Sequence, residues 1–192
     1  MRTARLAAVA LVGLGVVVYS AWLLEFFLPT GVSPAQQTVE ELLRAVPLFR
    51  ITTGVAGFAF VLACPPLLRL VPVHWTGRVA AITLALFGLV LIVDALVPGT
   101  IAAQLLENLA FVGGSFSLVF WWPPPWREWA LAGFALVLLT WALVLVASLL
   151  GPGHLAGVFS RVQLGVRAVL MGSGVAYIVI TPLPRFASRP VR

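Results

Sequence analysis

The amino-acid sequence contains no lysine, only one cysteine and few charged residues of any kind. The single cysteine, Cys64, excludes an internal disulfide and a metal site built from several cysteines. Only 9% of the 192 residues are charged, whereas 61% are hydrophobic. A soluble domain is about one quarter charged, so this chain could not cover a surface exposed to water. The composition therefore predicts an integral membrane protein.

Several motifs that bind cofactors are also missing from the sequence. There is no aspartate-rich cluster to bind magnesium diphosphate, no phosphate-binding P-loop and no HExxH motif, and there is no pair of intramembrane histidines to ligate haem. We therefore predict no metal, nucleotide or haem cofactor. The net charge of +6 comes from arginines, and basic residues at helix ends are what membrane topology requires, so it does not indicate nucleic acid.

The hydrophobic residues form six long segments. A helix needs about 20 apolar residues to cross the hydrocarbon core of a bilayer. The segments are 6–28, 48–72, 79–98, 101–122, 129–150 and 159–182. Proline and glycine interrupt the chain between them, and both residue types end helices. The sequence thus predicts an all-α, polytopic bundle of about six transmembrane helices in one domain, without a cleaved signal peptide.

Arginine placement predicts the orientation of this bundle. Eight arginines fall on one side: Arg2, Arg5, Arg69, Arg78, Arg127, Arg185, Arg189 and Arg192. The positive-inside rule then places both termini in the cytoplasm, and we expect the membrane to be a bacterial cytoplasmic membrane with its lipids as partners. Five tryptophans on the same side are predicted to form a belt at the lipid interface: Trp75, Trp121, Trp122, Trp126 and Trp129.

The remaining ionisable residues within the helices lie in the half of the bundle away from the cytoplasm. They are Glu25, Arg50, Asp94, Glu107, Arg161 and Arg167. A charge at this depth costs at least about 2.5–3.5 kcal/mol, so these side chains should face the interior and pair with one another. We expect Arg167 to pair with Asp94 or Glu107. The cluster is either a functional cavity, with His154 at its mouth, or a network that only fixes helix register.

Two further patterns concern helix packing and the cavity wall. Tyr19, Trp22 and Glu25 recur at a spacing of three, which places them on one helical face beside the polar cluster. Gly54 and Gly57, like Gly113 and Gly114 later in the chain, are small enough to let neighbouring helices approach closely. An aromatic face beside a carboxylate can stabilise a cationic intermediate.

The stretch GVSPAQQTVEELLRAVPLFRITTGVAG resembles a block of the actinobacterial branch of the domain of unknown function 998 family. The likeness rests on Ser33, Pro34, Glu41, Leu42, Phe49 and Arg50, and it continues through Asp94, Pro98, Arg161 and Gln163. The resemblance implies a six-helix integral membrane protein and little biochemistry. Where such family members carry a loop with cysteine and histidine after the third helix, this chain has PGTIAAQLLENLAF, with neither residue type.

Two functions of different classes are compatible with these residues. The first is an enzyme acting on a lipophilic isoprenoid, most concretely a protonation-initiated terpene cyclase; the chain is similar in size and character to small bacterial membrane-bound enzymes of that kind. Asp94, Glu107 and Glu25 are its candidate acids, with Asp94 preferred as the donor and Glu107 as the partner of Arg167. Tyr19 and Trp22 would stabilise cations.

The alternative is a non-enzymatic membrane protein, such as a lipid-binding subunit, a scaffold or a small transporter. It would use Arg50, Arg161 and Arg167 to hold an anion or a lipid headgroup.

Cysteine labelling in intact cells tests the predicted topology. In a Cys64→Ser background, a cysteine at Ser33 or Gly153 should react with an impermeant maleimide added from outside. A cysteine at Thr76 should react only after the membrane is permeabilised, because the arginine-rich side faces the cytoplasm. The reverse labelling pattern would contradict the orientation.

Overall fold

The computed structural model describes residues 2–71, 75–150 and 155–181, which form helices joined by short connections, with no strand in these ranges. The α-helices are α1 Arg2–Tyr19, α2 Val39–Ala45, α3 Pro47–Leu70, α4 Trp75–Leu96, α5 Ile101–Trp121, α6 Trp126–Leu150 and α7 Ala156–Ile180. A 3-10 helix, Ser20–Phe26, continues α1. Among the residues carrying predictions, His154, Gly153, Arg185, Arg189 and Arg192 lie outside the described ranges.

The prediction of an all-α bundle with six transmembrane helices is confirmed. Six helices of the described chain are long and apolar enough to cross a bilayer, the first of them formed by α1 together with the 3-10 helix. Large apolar side chains cover their outward faces; Val17, Ile101 and Leu149 are 72%, 75% and 78% exposed. Water would not tolerate so many such side chains, whereas lipid does. The chain is therefore an integral membrane protein.

Helix α2 was not predicted, because seven residues are too few to show a helical period. Its ends nevertheless carry suitable charges: Glu40 and Glu41 lie in the first turn and Arg44 in the last. This arrangement complements the helix dipole. Leu42 and Leu43 bury the inward face of α2 against Phe49 at the start of α3. The connection between the first two spans is thus a folded cover over the outer end of the bundle.

The six spans form a closed ring. Each of α3, α4, α5, α6 and α7 packs against the preceding span, and α7 returns to pack against α1. Arg5 helps to close the ring, since its guanidinium donates a hydrogen bond to the Val179 carbonyl at 2.5 Å. This contact joins the start of α1 to the end of α7. With six spans, these two ends lie on the same side of the bundle. The ring surrounds a core that includes the buried aromatic side chains of Tyr19, Phe60, Phe87 and Phe111.

Glycine permits a close crossing between α3 and α4. A Cβ atom at Gly57 would lie 2.5 Å from the Gly88 carbonyl oxygen, and one at Gly88 would lie 2.6 Å from the Gly57 oxygen. A Cβ at Gly114 would similarly lie 2.8 Å from the Thr83 hydroxyl, between α5 and α4. Small residues are what allow transmembrane backbones to approach to this extent. The predicted roles of Gly57 and Gly114 are therefore confirmed.

The predicted tryptophan belt is only partly observed. Trp75 and Trp129 are well exposed and can contact the lipid interface. Trp122 is buried instead, and its ring stacks on Tyr177 with centroids 5.1 Å apart. Trp121 and Trp126 also pack edge-on against Tyr177. Three of the five tryptophans thus close the predicted cytoplasmic end of the core, because α7 supplies an aromatic partner that the sequence pattern did not reveal.

Replacing Gly57 by alanine should destabilise the bundle. The added methyl group would collide with the α4 backbone, and overpacking of this kind typically costs about 1–3 kcal/mol. Gly13→Ala is the matched control, because a Cβ there meets no atom within 4 Å. Thermal unfolding in detergent should show a lower midpoint temperature for Gly57→Ala than for the wild type, and an unchanged midpoint for the control. Equal midpoints would show that α3 and α4 do not cross at this glycine.

Candidate functional site

The deepest polar group in the outer half of the bundle is the Arg167 guanidinium on α7. It forms an ion pair with Glu107 of α5, and its Nη2 donates a hydrogen bond to the Asn108 side-chain oxygen at 2.6 Å. Gln163, one turn before Arg167 on the same face, donates to that same oxygen at 2.8 Å. Because α6 lies between α5 and α7 in the ring, this network crosses the interior. Of the two predicted partners, Asp94 and Glu107, it is Glu107 that pairs with Arg167.

Aromatic rings form the floor beneath this network. The Arg167 guanidinium carbon lies 5.9 Å from the ring centroid of Phe87 and 5.5 Å from that of Phe111. Tyr19 packs edge-on against Phe87 at 5.7 Å. A guanidinium over aromatic faces gains cation–π attraction, particularly where water is excluded. The charge therefore has both a carboxylate and aromatic rings to offset its removal from water.

Glu25 and Arg161 form a second buried pair, closer to the outer surface. Both oxygens of Glu25 accept hydrogen bonds from the guanidinium, with 2.7 Å between Nη2 and Oε2. Arg161 also donates to the carbonyl of Gln37 at 2.7 Å and to that of Gly157 at 2.9 Å. A two-pronged pair of this kind is strong and geometrically restrictive. It attaches the 3-10 helix and the outer connection to α7.

The other two arginines of the outer half bind helix-end carbonyls. Arg50 donates to the carbonyl oxygens of Ala95 and Leu96 at 3.0 and 3.1 Å, at the end of α4. Arg44 donates to the Pro98 oxygen from two nitrogens, at 3.2 and 3.3 Å. The last carbonyls of a helix have no partner within the helix, and basic side chains satisfy them. Arg50 thus stabilises the α4–α5 turn and does not line the cavity described next.

A cavity of about 520 Å³ occupies the outer half of the ring, under α2. Such a volume lies within the range of about 300–1,000 Å³ that is usual for small-molecule sites. Among its lining residues are five of the predicted site residues: Tyr19, Trp22, Asp94, Glu107 and Arg167. A smaller, almost wholly apolar cavity of about 100 Å³ lies on the cytoplasmic side of Phe87 and Phe111. We assign the site to the larger cavity, because the polar groups converge there.

Asp94 differs from the other two buried acids. It is only 5% exposed and lines the outer cavity, yet among the described residues no arginine forms an ion pair with it. Its one hydrogen bond there comes from the backbone N–H of Gly99, at 3.0 Å. This bond holds the carboxyl at the end of α4, and no described residue donates a hydrogen bond to its second oxygen. Within the described ranges, Asp94 is therefore a carboxyl group of the cavity wall that forms no ion pair with a guanidinium.

The 3-10 helix that follows Tyr19 explains why Tyr19, Trp22 and Glu25 share one face. A 3-10 helix has three residues per turn, so side chains three apart project in one direction. Tyr19 and Trp22 line the outer cavity, whereas Glu25, one turn further, contacts Arg161. The predicted shared face is observed, but the face extends from the cavity wall to the second ion pair.

Sequence reasoning missed Asn108 and the part that Gln163 plays. Asn108 is the one asparagine in the sequence, and it accepts bonds from both Gln163 and Arg167. A signal was present: Gln163 and Arg167 are four residues apart on α7, and Gln104 precedes Asn108 by the same interval. Polar residues at that spacing form a stripe on one helix face. The stripe is inconspicuous in the sequence because neutral amides carry no charge that would mark a buried polar position.

The fold and the site together define a polytopic helical membrane protein with an internal polar cavity. No family model, no curated protein and no solved structure matches the chain. The cavity and the residues around it are therefore the features that indicate a function.

The Arg167–Glu107 pair can be tested by removing one charge and then both. Arg167→Leu should lower the melting temperature, because breaking a buried pair typically costs about 3–5 kcal/mol. Adding Glu107→Gln should restore part of the loss by removing the unpaired carboxylate. Adding Asp94→Asn instead should restore little, because Asp94 is not the partner. Recovery by Asp94→Asn but not by Glu107→Gln would contradict the observed pairing.

Proposed function

We propose that the protein is a membrane-embedded enzyme that binds a lipophilic isoprenoid in the outer cavity and protonates it, as a terpene cyclase does. The observation that carries this proposal is the position of Asp94, a buried carboxyl in the cavity wall without an arginine partner among the described residues. A carboxyl in apolar surroundings favours its neutral form, and only that form can donate a proton. The membrane supplies the lipophilic substrate directly to such a site.

The reaction would be an isomerisation without a redox step. The Asp94 proton adds to one alkene carbon, and the π electrons form the new C–H bond and leave a carbocation on the other carbon. A second alkene attacks the cation and closes a ring. Loss of a proton from a neighbouring carbon then forms a new double bond and returns a proton to the carboxylate. Tyr19 and Trp22 line the cavity with aromatic rings, which stabilise cations.

The other candidate acids are less suited to this role. Glu107 is paired with Arg167, and Glu25 is held at both oxygens by Arg161. Both of these carboxyl groups are already engaged by a guanidinium, whereas Asp94 forms no ion pair with an arginine of the described chain. Glu107 instead offsets the charge of Arg167, and Glu25 positions the 3-10 helix, which carries Trp22 and directly follows Tyr19.

The contacts of the arginines count against the alternative of an anion or lipid-headgroup site. Arg50 bonds helix-end carbonyls, Arg161 holds Glu25, and Arg167 holds Glu107. Each of these guanidiniums already has a carboxylate or backbone acceptors, so an anion would have to compete with them. A protein that binds an uncharged lipid without converting it uses the same cavity, and the turnover experiment below separates that role from catalysis.

Asp94→Asn should abolish turnover while leaving the fold intact, because it keeps the shape of the side chain and removes the transferable proton. Purified protein in lipid nanodiscs would be incubated with prenyl alcohols and prenylated aromatic compounds, and products followed by mass spectrometry. General acids contribute about 10²–10⁴-fold, so activity should fall at least a hundredfold. Glu128→Gln, which changes an exposed acid at the start of α6, is the control and should retain activity.

Two results would count against the proposal. Undiminished turnover by the Asp94→Asn protein would exclude Asp94 as the donor. Failure of the wild-type protein to convert any compound of the panel, although it binds them, would make the cavity a binding site only.

A further inference from the structure

Three buried hydrogen-bonding groups of the outer cavity have no partner in the described protein. They are the Tyr19 hydroxyl, the Trp22 indole N–H and the Arg167 Nε–H. All three side chains line the cavity, and Tyr19 and Arg167 are only 7% and 3% exposed. Buried polar groups are nearly always hydrogen-bonded, so three such groups at one cavity require a common explanation.

The three groups line the same cavity. Tyr19 is the last residue of α1, and Trp22 lies three residues further, in the 3-10 helix that follows directly. Tyr19 and Arg167 both pack on Phe87. The centroid of the Phe87 ring lies 5.7 Å from the centroid of the Tyr19 ring and 5.9 Å from the guanidinium carbon of Arg167. Each of the three can donate a hydrogen bond, and two of them can only donate. The group that satisfies them must therefore be an acceptor.

The charge around these donors determines what kind of acceptor can enter. Arg167 is already neutralised by Glu107. The cavity lining also includes the carboxylates of Glu40 and Glu41, against one further arginine, Arg44, and this count omits Asp94 because the proposed reaction requires it to be neutral. Carboxyl groups thus outnumber guanidiniums at the cavity, and an anionic group such as a diphosphate would be repelled. An uncharged oxygen meets no such repulsion and still accepts the bonds.

We propose that Tyr19, Trp22 and Arg167 form a subsite for a neutral oxygen atom, a hydroxyl or carbonyl group, at one end of a lipophilic ligand. This inference rests on the proposed function and names the substrate class: an oxygenated, uncharged isoprenoid, in place of a hydrocarbon or a diphosphate. The subsite anchors the polar end, which leaves the alkenes to lie along the apolar wall towards Asp94. The three residues bind the ligand and transfer no proton.

Binding measurements on the full-length Asp94→Asn protein in nanodiscs test the subsite, because binding can then be read without turnover. The probes are geranylgeraniol, the corresponding aldehyde, the diphosphate, and the hydrocarbon of the same carbon skeleton. The alcohol or the aldehyde should bind more tightly than the hydrocarbon and the diphosphate. Tighter binding of the alcohol would indicate a hydroxyl ligand, and tighter binding of the aldehyde would indicate a carbonyl ligand.

Adding Tyr19→Phe removes one donor and keeps the ring. Since one hydrogen bond contributes about 0.5–1.5 kcal/mol, affinity for the better oxygen probe should fall about twofold to tenfold, while hydrocarbon binding stays the same. Tyr177→Phe is the matched control, because Tyr177 is the other of the two tyrosines and lines the small apolar cavity. If Tyr19→Phe does not fold, Trp22→Phe, which also removes a donor, replaces it.

Three outcomes would overturn the subsite. They are equal binding of the hydrocarbon and the oxygen probes, tightest binding of the diphosphate, or equal effects of Tyr19→Phe and Tyr177→Phe. If any of these occurs while turnover still depends on Asp94, the subsite fails and the proposed function stands. If none of the four probes binds, both proposals fail.

Discussion

The burial of Arg167 inside an apolar bundle is the constraint on which the rest of the outer half depends. A guanidinium at this depth is costly unless it is paired and hydrogen-bonded, and Arg167 obtains a carboxylate, an amide and two aromatic faces. Glu107 and Asn108 meet it from across the ring, so α5 and α7 are held at a defined separation although α6 lies between them. That separation keeps an interior space open.

The aromatic floor divides this interior into two parts with different chemistry. Phe87 and Phe111 separate a small apolar cavity on the cytoplasmic side from the larger polar cavity on the outer side. On the outer side, α2 folds over the opening, tied to α4 by Arg44 and near its start to α7 by the bond from Arg161 to Gln37. The polar cavity is thus bounded below by aromatic rings and above by a tethered helix.

The buried charges of the outer half divide into paired and unpaired groups within the described chain. Arg161 and Arg167 are each engaged by a carboxylate, so they serve the structure of the site. Asp94 receives a single backbone hydrogen bond and faces the cavity. Pairing all buried charges would have produced a network that only fixes register. In the described chain, this cavity is lined both by an acid without a guanidinium partner and by unsatisfied donors on Tyr19 and Arg167, which distinguishes it from such a network.

Much of the site was predictable as a set of residue types at a common depth. Position along an apolar helix gives the depth of Asp94, Glu107 and Arg167, because each residue rises by a fixed distance. The choice of partner was not predictable, since Asp94 and Glu107 lie at similar depths on adjacent helices. Asn108 was overlooked because a neutral amide carries no topological signal, yet it receives two hydrogen bonds in the network.

The sequence by itself determined the class of protein, the number of spans and the half of the bundle that holds the buried charges. These follow from apolar length and from the cost of burying charge, which depend on the order of residues alone. Only the tertiary structure decided which charges pair, that α7 closes the ring against α1, and that the chain after Tyr19 winds as a 3-10 helix. Pairing depends on how each helix is rotated about its axis, and that rotation is set by close contacts such as Gly57 on Gly88.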